Sequence, residues 1–361
     1  MSFGYLIINW YRKNKRDLPW RKTADPYKIW VSEVILQQTR VEQGMSYYHN
    51  FTRLFPDAGS LANAPEDAVM KAWQGLGYYS RARHMHEAAR KIRDEYGQGF
   101  PSTYEELLKM KGIGEYTAAA VSSIAFGEPR PVVDGNVMRV VARYAGIGSA
   151  VNTARGKKQI IDFLRSRIDP ESPGDFNQAV MELGALICVP RNPRCRDCPV
   201  SADCFARIHG KIPELPVLVK AKSTVVIHLN YLVLNQKQDN QTFTFIKKRT
   251  GSGIWKNLYD FPLIETVQEI GPEKLSQHED FVLLMEGSRF SPPREVFSFR
   301  HLLSHRELKV KFFTFDVDNF SCKTVLKVPP EELCNYPVPR PIEKFIKKIS
   351  DRPGIFSENP D

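Results

Sequence analysis

Residues 107–120 read Leu107-Leu108-Lys109-Met110-Lys111-Gly112-Ile113-Gly114-Glu115-Tyr116-Thr117-Ala118-Ala119-Ala120. A helical pattern over 104–111 stops at Gly112-Ile113-Gly114, and a helix of small residues begins at once, running to Phe126. Two glycines around one apolar residue permit a tight turn whose N–H groups point outward at a helix N-terminus, which is a natural phosphate site. Alone, G-x-G describes any corner between two helices. Its downstream neighbours make it specific. Pro131-Val132-Val133-Asp134-Gly135-Asn136-Val137-Met138-Arg139 places one carboxylate at a glycine-flanked helix start after an apolar run. The ordinary role of such an aspartate is to cap the helix.

Further along, Cys188, Cys195, Cys198 and Cys204 are spaced C-x6-C-x2-C-x5-C. Four thiolates in so short a stretch can converge on one tetrahedral ion or one cubane cluster. Zinc sites often pair two C-x2-C units, and here there is one, so the wider loops suit an iron–sulfur cluster better, with zinc as the rival. Arg191, Arg194, Arg196 and Arg207 surround the thiols with cations. Cys322 and Cys334 lie far away and read as incidental.

Helical spacing extends over most of residues 1–210. Trp30–Met45 sets Val31, Val34, Ile35, Val41 and Met45 near one face, with Ser32 and Glu33 in its early turns. Residues 66–73, 80–96, 157–167 and 175–187 read as further helices. The stretch 211–223 (KIPELPVLVKAKS) carries prolines and lysines without period and reads as a linker. Beyond it, over 224–361, the texture turns to strands at 224–235, 241–249, 294–303 and 307–317, closed by a helix near 341–349, an α+β pattern.

With 361 residues the chain has room for about two domains. Fifty-one Lys and Arg against 41 Asp and Glu leave a net charge of +10, which suits a polyanionic partner such as nucleic acid. No run approaches the roughly 18 apolar residues of a transmembrane helix. The N-terminus lacks the pattern of a secretory signal, and the cysteines do not form a secreted disulfide framework. A cytoplasmic bacterial protein is the expectation.

The constellation resembles the helix-hairpin-helix DNA glycosylases with an iron–sulfur loop, the endonuclease III superfamily, and within it the MutY-type adenine DNA glycosylases. The motifs that carry the resemblance are LPW (18–20), SEVILQQTRV (32–41), GLGYYSRAR (75–83), GIGEYTAAA, VVDGNVMRV, FNQAVMELGALIC and the four cysteines. The implied architecture is multidomain: an all-α helix-hairpin-helix glycosylase domain with a [4Fe-4S] loop, followed by an α+β Nudix-like domain.

The resemblance assigns roles residue by residue. Glu33 protonates adenine N7 and assists water, Asp134 stabilises or transiently bonds the cationic sugar carbon, and Tyr116 and Asn136 support these carboxylates. Two carboxyl groups dividing acid and charge-stabilising work is the logic of glycoside hydrolysis. Glu33 then needs a raised pKa, which apolar surroundings can supply; alone it would read as a first-turn glutamate favoured by the helix dipole. Tyr116 stands where the lyase branch carries a Schiff-base lysine, so strand cleavage is not expected. Gln178 and Arg21 are matched to the adenine pocket, Gln38 and Tyr78 to filling the stack after base flipping, with Gln37 and Tyr79 beside them. Gly112 and Gly114 would anchor a phosphate, and the four cysteines would hold the cluster.

In the strand-rich half, FRHLLSHRELKV (299–310) is similar to the family's F-S-H loop at Ser304 and His305, with Leu303 in place of the phenylalanine. Alone it would read as a polar hairpin turn. The resemblance implies that this domain reads 8-oxoguanine opposite the target adenine. The glutamate-rich box of a working Nudix hydrolase is missing, so pyrophosphate hydrolysis is not expected. The expected partner is double-stranded DNA carrying 8-oxoguanine:A or G:A, bound by a monomer that also touches other repair or replication proteins. Two rivals remain: a related iron–sulfur glycosylase acting on mismatched thymine, and a non-catalytic mismatch-binding protein.

Overall fold

The computed structural model describes residues 2–97, 99–219, 225–303 and 306–350. Contacts divide the chain into two units, Met1–Ala64 with His84–Ala221, and Pro65–Arg83 with Lys222–Asp361. Ser304 and His305 lie outside the described residues.

Twelve helices precede the strands among the described residues: α1 (Phe3–Asn14), α2 (Pro26–Leu36), α3 (Val41–Leu54), α4 (Ala58–Asn63), α5 (Glu66–Ala72), α6 (Ser80–Tyr96), α7 (Tyr104–Leu108), α8 (Glu115–Phe126), α9 (Gly135–Ala145), α10 (Ala154–Arg165), α11 (Pro173–Leu186) and α12 (Phe205–Ile208). In the first unit α11 packs on α1, α8 and α9, so its buried face meets three others. Phe176, Ala179, Val180 and Leu183 of α11 join Phe3, Ile7, Val137, Val141 and Ile160 in one core. Close approach of α11 to α9 needs Gly184, where a Cβ would stand 2.6 Å from Asn136 Cβ. That contact sets the distance between two helices that both line one cavity of this unit.

The continuous helix expected over Trp30–Met45 is two helices. α2 ends at Leu36, Gln38 takes a left-handed φ of +58°, and α3 starts at Val41. The apolar period runs unbroken through the break, so periodicity alone could not place it. α2 also starts earlier, at Pro26, capped by the Asp25 carboxylate on the Tyr27 and Lys28 N–H groups. Glu33 is therefore in the last turn of its helix, not the first, and the helix dipole does not favour its charge.

The second unit holds a mixed eight-stranded sheet among the described residues: β1 (Val225–Gln238), β2 (Gln241–Lys248), β3 (Tyr259–Asp260), β4 (Leu263–Thr266), β5 (Arg289–Phe290), β6 (Arg294–Leu302), β7 (Arg306–Asp318) and β8 (Leu326–Val328). The helices α13 (Pro272–Ser276) and α14 (Glu279–Leu284) follow β4, and α15 (Arg340–Ser350) closes the described chain. β1 and β7 run parallel at the centre, from Val225 opposite Arg306 to Asn235 opposite Asp316. Both faces of this pair are covered, which explains its long apolar runs. Leu232, Leu234, Phe313 and Phe315 face Leu275 and Phe281. On the other face, Phe312 stacks on Phe345 of α15 at 4.1 Å between ring centroids, and on Tyr231 at 5.1 Å. β6 pairs antiparallel with β7, and Leu303 N–H donates to the Arg306 carbonyl at 2.8 Å. Among the described residues no helix is long and apolar enough to cross a membrane.

Candidate active site and its relatives

A cavity of about 400 Å³ opens in the first unit. α2 supplies Glu33, α8 supplies Tyr116, the start of α9 supplies Asp134 and Asn136, and α11 supplies Gln178, Met181 and Glu182; Trp20 and Arg21 complete the wall. Five separate chain segments thus bring together every residue matched to the chemistry and the adenine pocket.

Asp134 is the N-cap of α9, as its glycine-flanked setting predicts. Its Oδ1 accepts from Val137 N–H at 2.7 Å and its Oδ2 accepts from Asn136 Nδ2 at 2.9 Å. Capping and catalysis are compatible: the cap fixes the rotamer, and the carboxylate still lines the cavity. Burial pushes the Asp134 pKa upward, while the hydrogen bonds from Val137 and Asn136 pull it back. Glu33 sits among the buried Val31, Val34 and Ile35 and is 8% exposed. Tyr116 Oη donates to Glu33 Oε2 at 2.5 Å. Burial raises the Glu33 pKa to about 7; the Tyr116 hydrogen bond and Arg21 lower it, and the Asp134 charge raises it. Tyr116 is held well above the usual phenol range by burial and by both carboxylates, so it stays a donor. Burial raises the pKa of both carboxyl groups, that of Glu33 to about 7, and Asp134 is the one whose charge accepts hydrogen bonds from a main-chain N–H and an amide.

Sequence reasoning missed Glu182. Its side chain is fully buried, with Arg21 at 2.8 Å and Arg16 at 2.7 Å. Burial works to raise its pKa, but the Arg21 and Arg16 hydrogen bonds outweigh it and hold the carboxyl at about 2. Arg21 is thus clamped in the cavity wall by an acid at the far end of the unit's sequence. A signal existed: Gln178, Met181, Glu182 and Ala185 recur at helical spacing in α11, and all four line the cavity. Gln178 Oε1 accepts from Tyr11 Oη at 3.0 Å.

The residues matched to DNA are distributed differently. Gln37 Nε2 donates to Thr117 Oγ1 at 3.2 Å, anchoring the α2–α3 turn to the hairpin helix, and Gln38 beside it is exposed. Gly112 has φ +77° and Gly114 is the N-cap of α8. Both line a second cavity, of about 650 Å³, together with Gln37, Lys157 and Arg165; Tyr116 borders both cavities. Tyr78 and Tyr79 fall in the second unit, where Tyr78 is 46% exposed and Tyr79 4%.

Cys188, Cys195, Cys198 and Cys204 line one small cavity, and none of them is in a disulfide. Burial pushes the Cys198 thiol up to about 11, with the neighbouring cysteines adding to the rise. Among the described residues, no group of three or more His, Cys, Asp or Glu is already arranged to hold a metal ion. The donor set around the cavity is all sulfur, which fits an iron–sulfur cluster. Two arginines at i, i+4 on α9 brace the loop. Arg143 donates to the carbonyls of Val189, Pro190 and Leu215 at 2.8, 2.9 and 2.9 Å and reaches Cys188 Sγ at 3.5 Å. Arg139 donates to the Cys188 carbonyl at 2.7 Å and to Asn136 Oδ1 at 2.8 Å. A continuous chain of hydrogen bonds therefore runs from the cysteine loop to the partner of Asp134.

A helical first unit with a glycine hairpin, two carboxyl groups lining one cavity and a separate sheet unit form the arrangement expected of a base-excision DNA glycosylase. Residues 31–165 match the HhH-GPD superfamily of base excision DNA repair proteins, and residues 230–348 match the NUDIX domain. Along 96% of its length the chain is 32% identical to 98% of an adenine DNA glycosylase of Buchnera aphidicola from Schizaphis graminum. It is 45% identical to the human adenine DNA glycosylase over 57% of this chain and 39% of that protein. Among solved structures, a thermostable thymine-DNA glycosylase matches 57% of this chain and 95% of its own at 31% identity, with a TM-score of 0.53. The chain belongs to the adenine DNA glycosylase (MutY) family, whose enzymes remove adenine in base excision repair.

Proposed function

We propose that this enzyme hydrolyses the N-glycosidic bond of adenine mispaired with 8-oxoguanine, and less readily with guanine, leaving the DNA strand intact. The observation that carries the reading is the Glu33–Tyr116–Asp134 arrangement at the cavity. The adenine leaves once Glu33 gives its proton to N7, which lets the bonding electrons depart with a neutral base. Positive charge then builds on the sugar, and the Asp134 carboxylate, held by Val137 and Asn136, stabilises it. Glu33, now a carboxylate, takes a proton from the water that adds to the sugar carbon. Tyr116 offers a phenol where an imine-forming lysine would be needed for lyase chemistry, which supports a monofunctional enzyme. Arg21, fixed by Glu182, and Gln178 form the adenine pocket.

Extrusion of the adenine is assigned to Tyr78 and Gln38, and phosphate anchoring to the Gly112–Gly114 hairpin. The NUDIX-type unit is assigned to reading 8-oxoguanine, with Ser304 and His305 as the contacts. Cys188, Cys195, Cys198 and Cys204 would hold a [4Fe-4S] cluster. When bound, the cluster ties the loop together and lets its arginines face phosphate. This division of labour uses the domain limits 1–210 and 224–361, joined through 211–223, with residues 65–83 grouped instead with the second unit. Such an enzyme works as a monomer on DNA in the cytoplasm or nucleoid, in contact with other repair or replication proteins.

Single-turnover base release from duplexes carrying 8-oxoguanine:A, G:A, 8-oxoguanine:C or G:T tests the reading. Adenine release fastest opposite 8-oxoguanine, with scission only after alkali, is expected. Release of thymine would favour the mismatch-thymine reading, to which the thymine-DNA glycosylase neighbour lends its helical fold.

A further inference from the structure

Residues 65–83 lie within the part of the chain that matches the glycosylase superfamily, yet they belong to the second unit. Their attachment is polar and specific. Asp67 takes Lys248 at 2.6 Å and the Tyr259 hydroxyl at 3.0 Å, and Glu66 accepts from Asn257. Lys71 donates to the carbonyls of Cys334 and Tyr336 and to Gln74 Oε1. Both polar groups of the Val338 main chain are used by the same segment: its N–H donates to Gln74 Oε1 and its carbonyl accepts from Tyr79 Oη, each at 3.3 Å.

Between Gln74 and Tyr79 the backbone has little preference of its own. Gly75, Gly77 and Tyr78 have φ values of +94°, +77° and +48°. A tyrosine in the left-handed region is strained and persists only where its surroundings over-determine it. The surroundings are identifiable. Trp73 Nε1 and Arg81 Nη2 both donate to the Gly77 carbonyl at 3.2 Å. The Tyr79 hydroxyl receives the Gly75 N–H at 3.2 Å while donating to Val338, so one phenol closes the turn and ties it to the sheet unit. Of two adjacent tyrosines, one is buried as the anchor and the other is left exposed.

We propose that Tyr79, with Lys71 and Gln74 behind it, is a positioning residue for Tyr78. The Cys334–Val338 main chain sets the turn that extrudes the target base, whatever base stands opposite. The inference rests on the reading of Tyr78 as the residue that wedges the stack. The sheet unit then acts twice, on base extrusion through this turn and on recognition through its own loop.

The test uses the full-length protein and variants Tyr79→Phe, Lys71→Met and Tyr78→Ala, with 2-aminopurine beside the target adenine to report unstacking. Tyr79→Phe should lower both unstacking and single-turnover release by about ten-fold, the loss of two hydrogen bonds. The loss should be equal on 8-oxoguanine:A and G:A, and Lys71→Met should act in the same direction. Release should return to near the wild-type rate on a duplex whose adenine faces an abasic site, where extrusion is cheap. A Tyr79→Phe defect that persists on that duplex would mean general structural damage and overturn the proposal. So would normal unstacking by both Tyr79→Phe and Lys71→Met when Tyr78→Ala is defective, which leaves the wedge reading intact. If Tyr78→Ala itself unstacks normally, the wedge reading fails and the proposal goes with it.

Discussion

The hydroxyl of Tyr116 donates to Oε2 of Glu33 across 2.5 Å, joining two residues 83 positions apart in the chain. The bond lowers the Glu33 pKa while burial raises it, and burial wins, leaving the group at about 7. An acid of that pKa is protonated below neutrality and lost above it. Release of adenine should therefore decline as pH rises through about 7. Tyr116→Phe removes the lowering influence, so the declining limb should move to higher pH, by about one unit for an ordinary hydrogen bond. Single-turnover pH profiles of the two proteins check the direction; an unmoved limb would show that the phenol does not act on this carboxyl, and a downward move that it does not lower its pKa.

Glu33→Gln and Asp134→Asn both preserve shape, and each removes one half of the chemistry. Excision should fall roughly 10²–10⁴-fold in either variant, the usual worth of one positioned acid or charge stabiliser. Affinity for the mismatched duplex should remain, because neither carboxylate is needed for phosphate contact. Gel-shift titration beside base release separates the two effects. Near-normal excision by Asp134→Asn would remove Asp134 from the mechanism and leave it only its capping role.

Glu33 and Glu182 should affect stability in opposite directions with pH. Glu33 has a folded pKa of about 7, above its usual value of 4.5, so its contribution is full below about 4.5 and is lost as pH rises to about 7. Glu182 is held at about 2, so its contribution is present above 4.5 and lost as pH falls towards 2. Urea unfolding of Glu182→Gln at pH 7 should show a loss of about 3 kcal/mol, since Arg21 is left buried with its charge uncompensated. At pH 2 the difference from wild type should shrink. A constant difference would assign the loss to packing instead.

The two hairpin glycines should respond differently to alanine. At Gly112 the φ is +77° and an added Cβ would meet His84 Cβ at 2.5 Å, so Gly112→Ala should destabilise the first unit by roughly 1–3 kcal/mol. At Gly114 nothing lies within 4 Å and φ is −95°, so Gly114→Ala should fold normally. Any loss of DNA affinity it shows then reports the phosphate contact rather than the fold. Thermal melts and salt-dependent DNA titration together decide the matter.

Much of the first unit was legible because its helices carry their own punctuation. Thr103 and Glu106 form a capping box before α7, Asp134 caps α9, and Gly127 and Gly146 end α8 and α9 in left-handed conformations. The break between α2 and α3 was not legible. No Pro or Gly marks it, and it is held by Gln37 on Thr117, 80 residues away. Glu182 escaped notice for the same reason: its arginines are 166 and 161 residues from it. Its spacing to Gln178 was visible, but the pairing was not.

The amino-acid order was enough to set the two-part organisation, the positions of most helices and strands and the four-cysteine spacing, and to single out Glu33 and Asp134 as candidates. These follow from local periodicity, capping and motif spacing, which short-range physics decides. The raised pKa of Glu33 came only with the folded chain, since it depends on burial and on groups brought from α8 and α9. The fold also settled that residues 65–83 are held by the strand-rich unit. Tyr79 and Val338 meet only after some 260 residues of chain have been folded between them. Desolvation and long-range hydrogen bonds are properties of assembled neighbours, and no local stretch of sequence carries them.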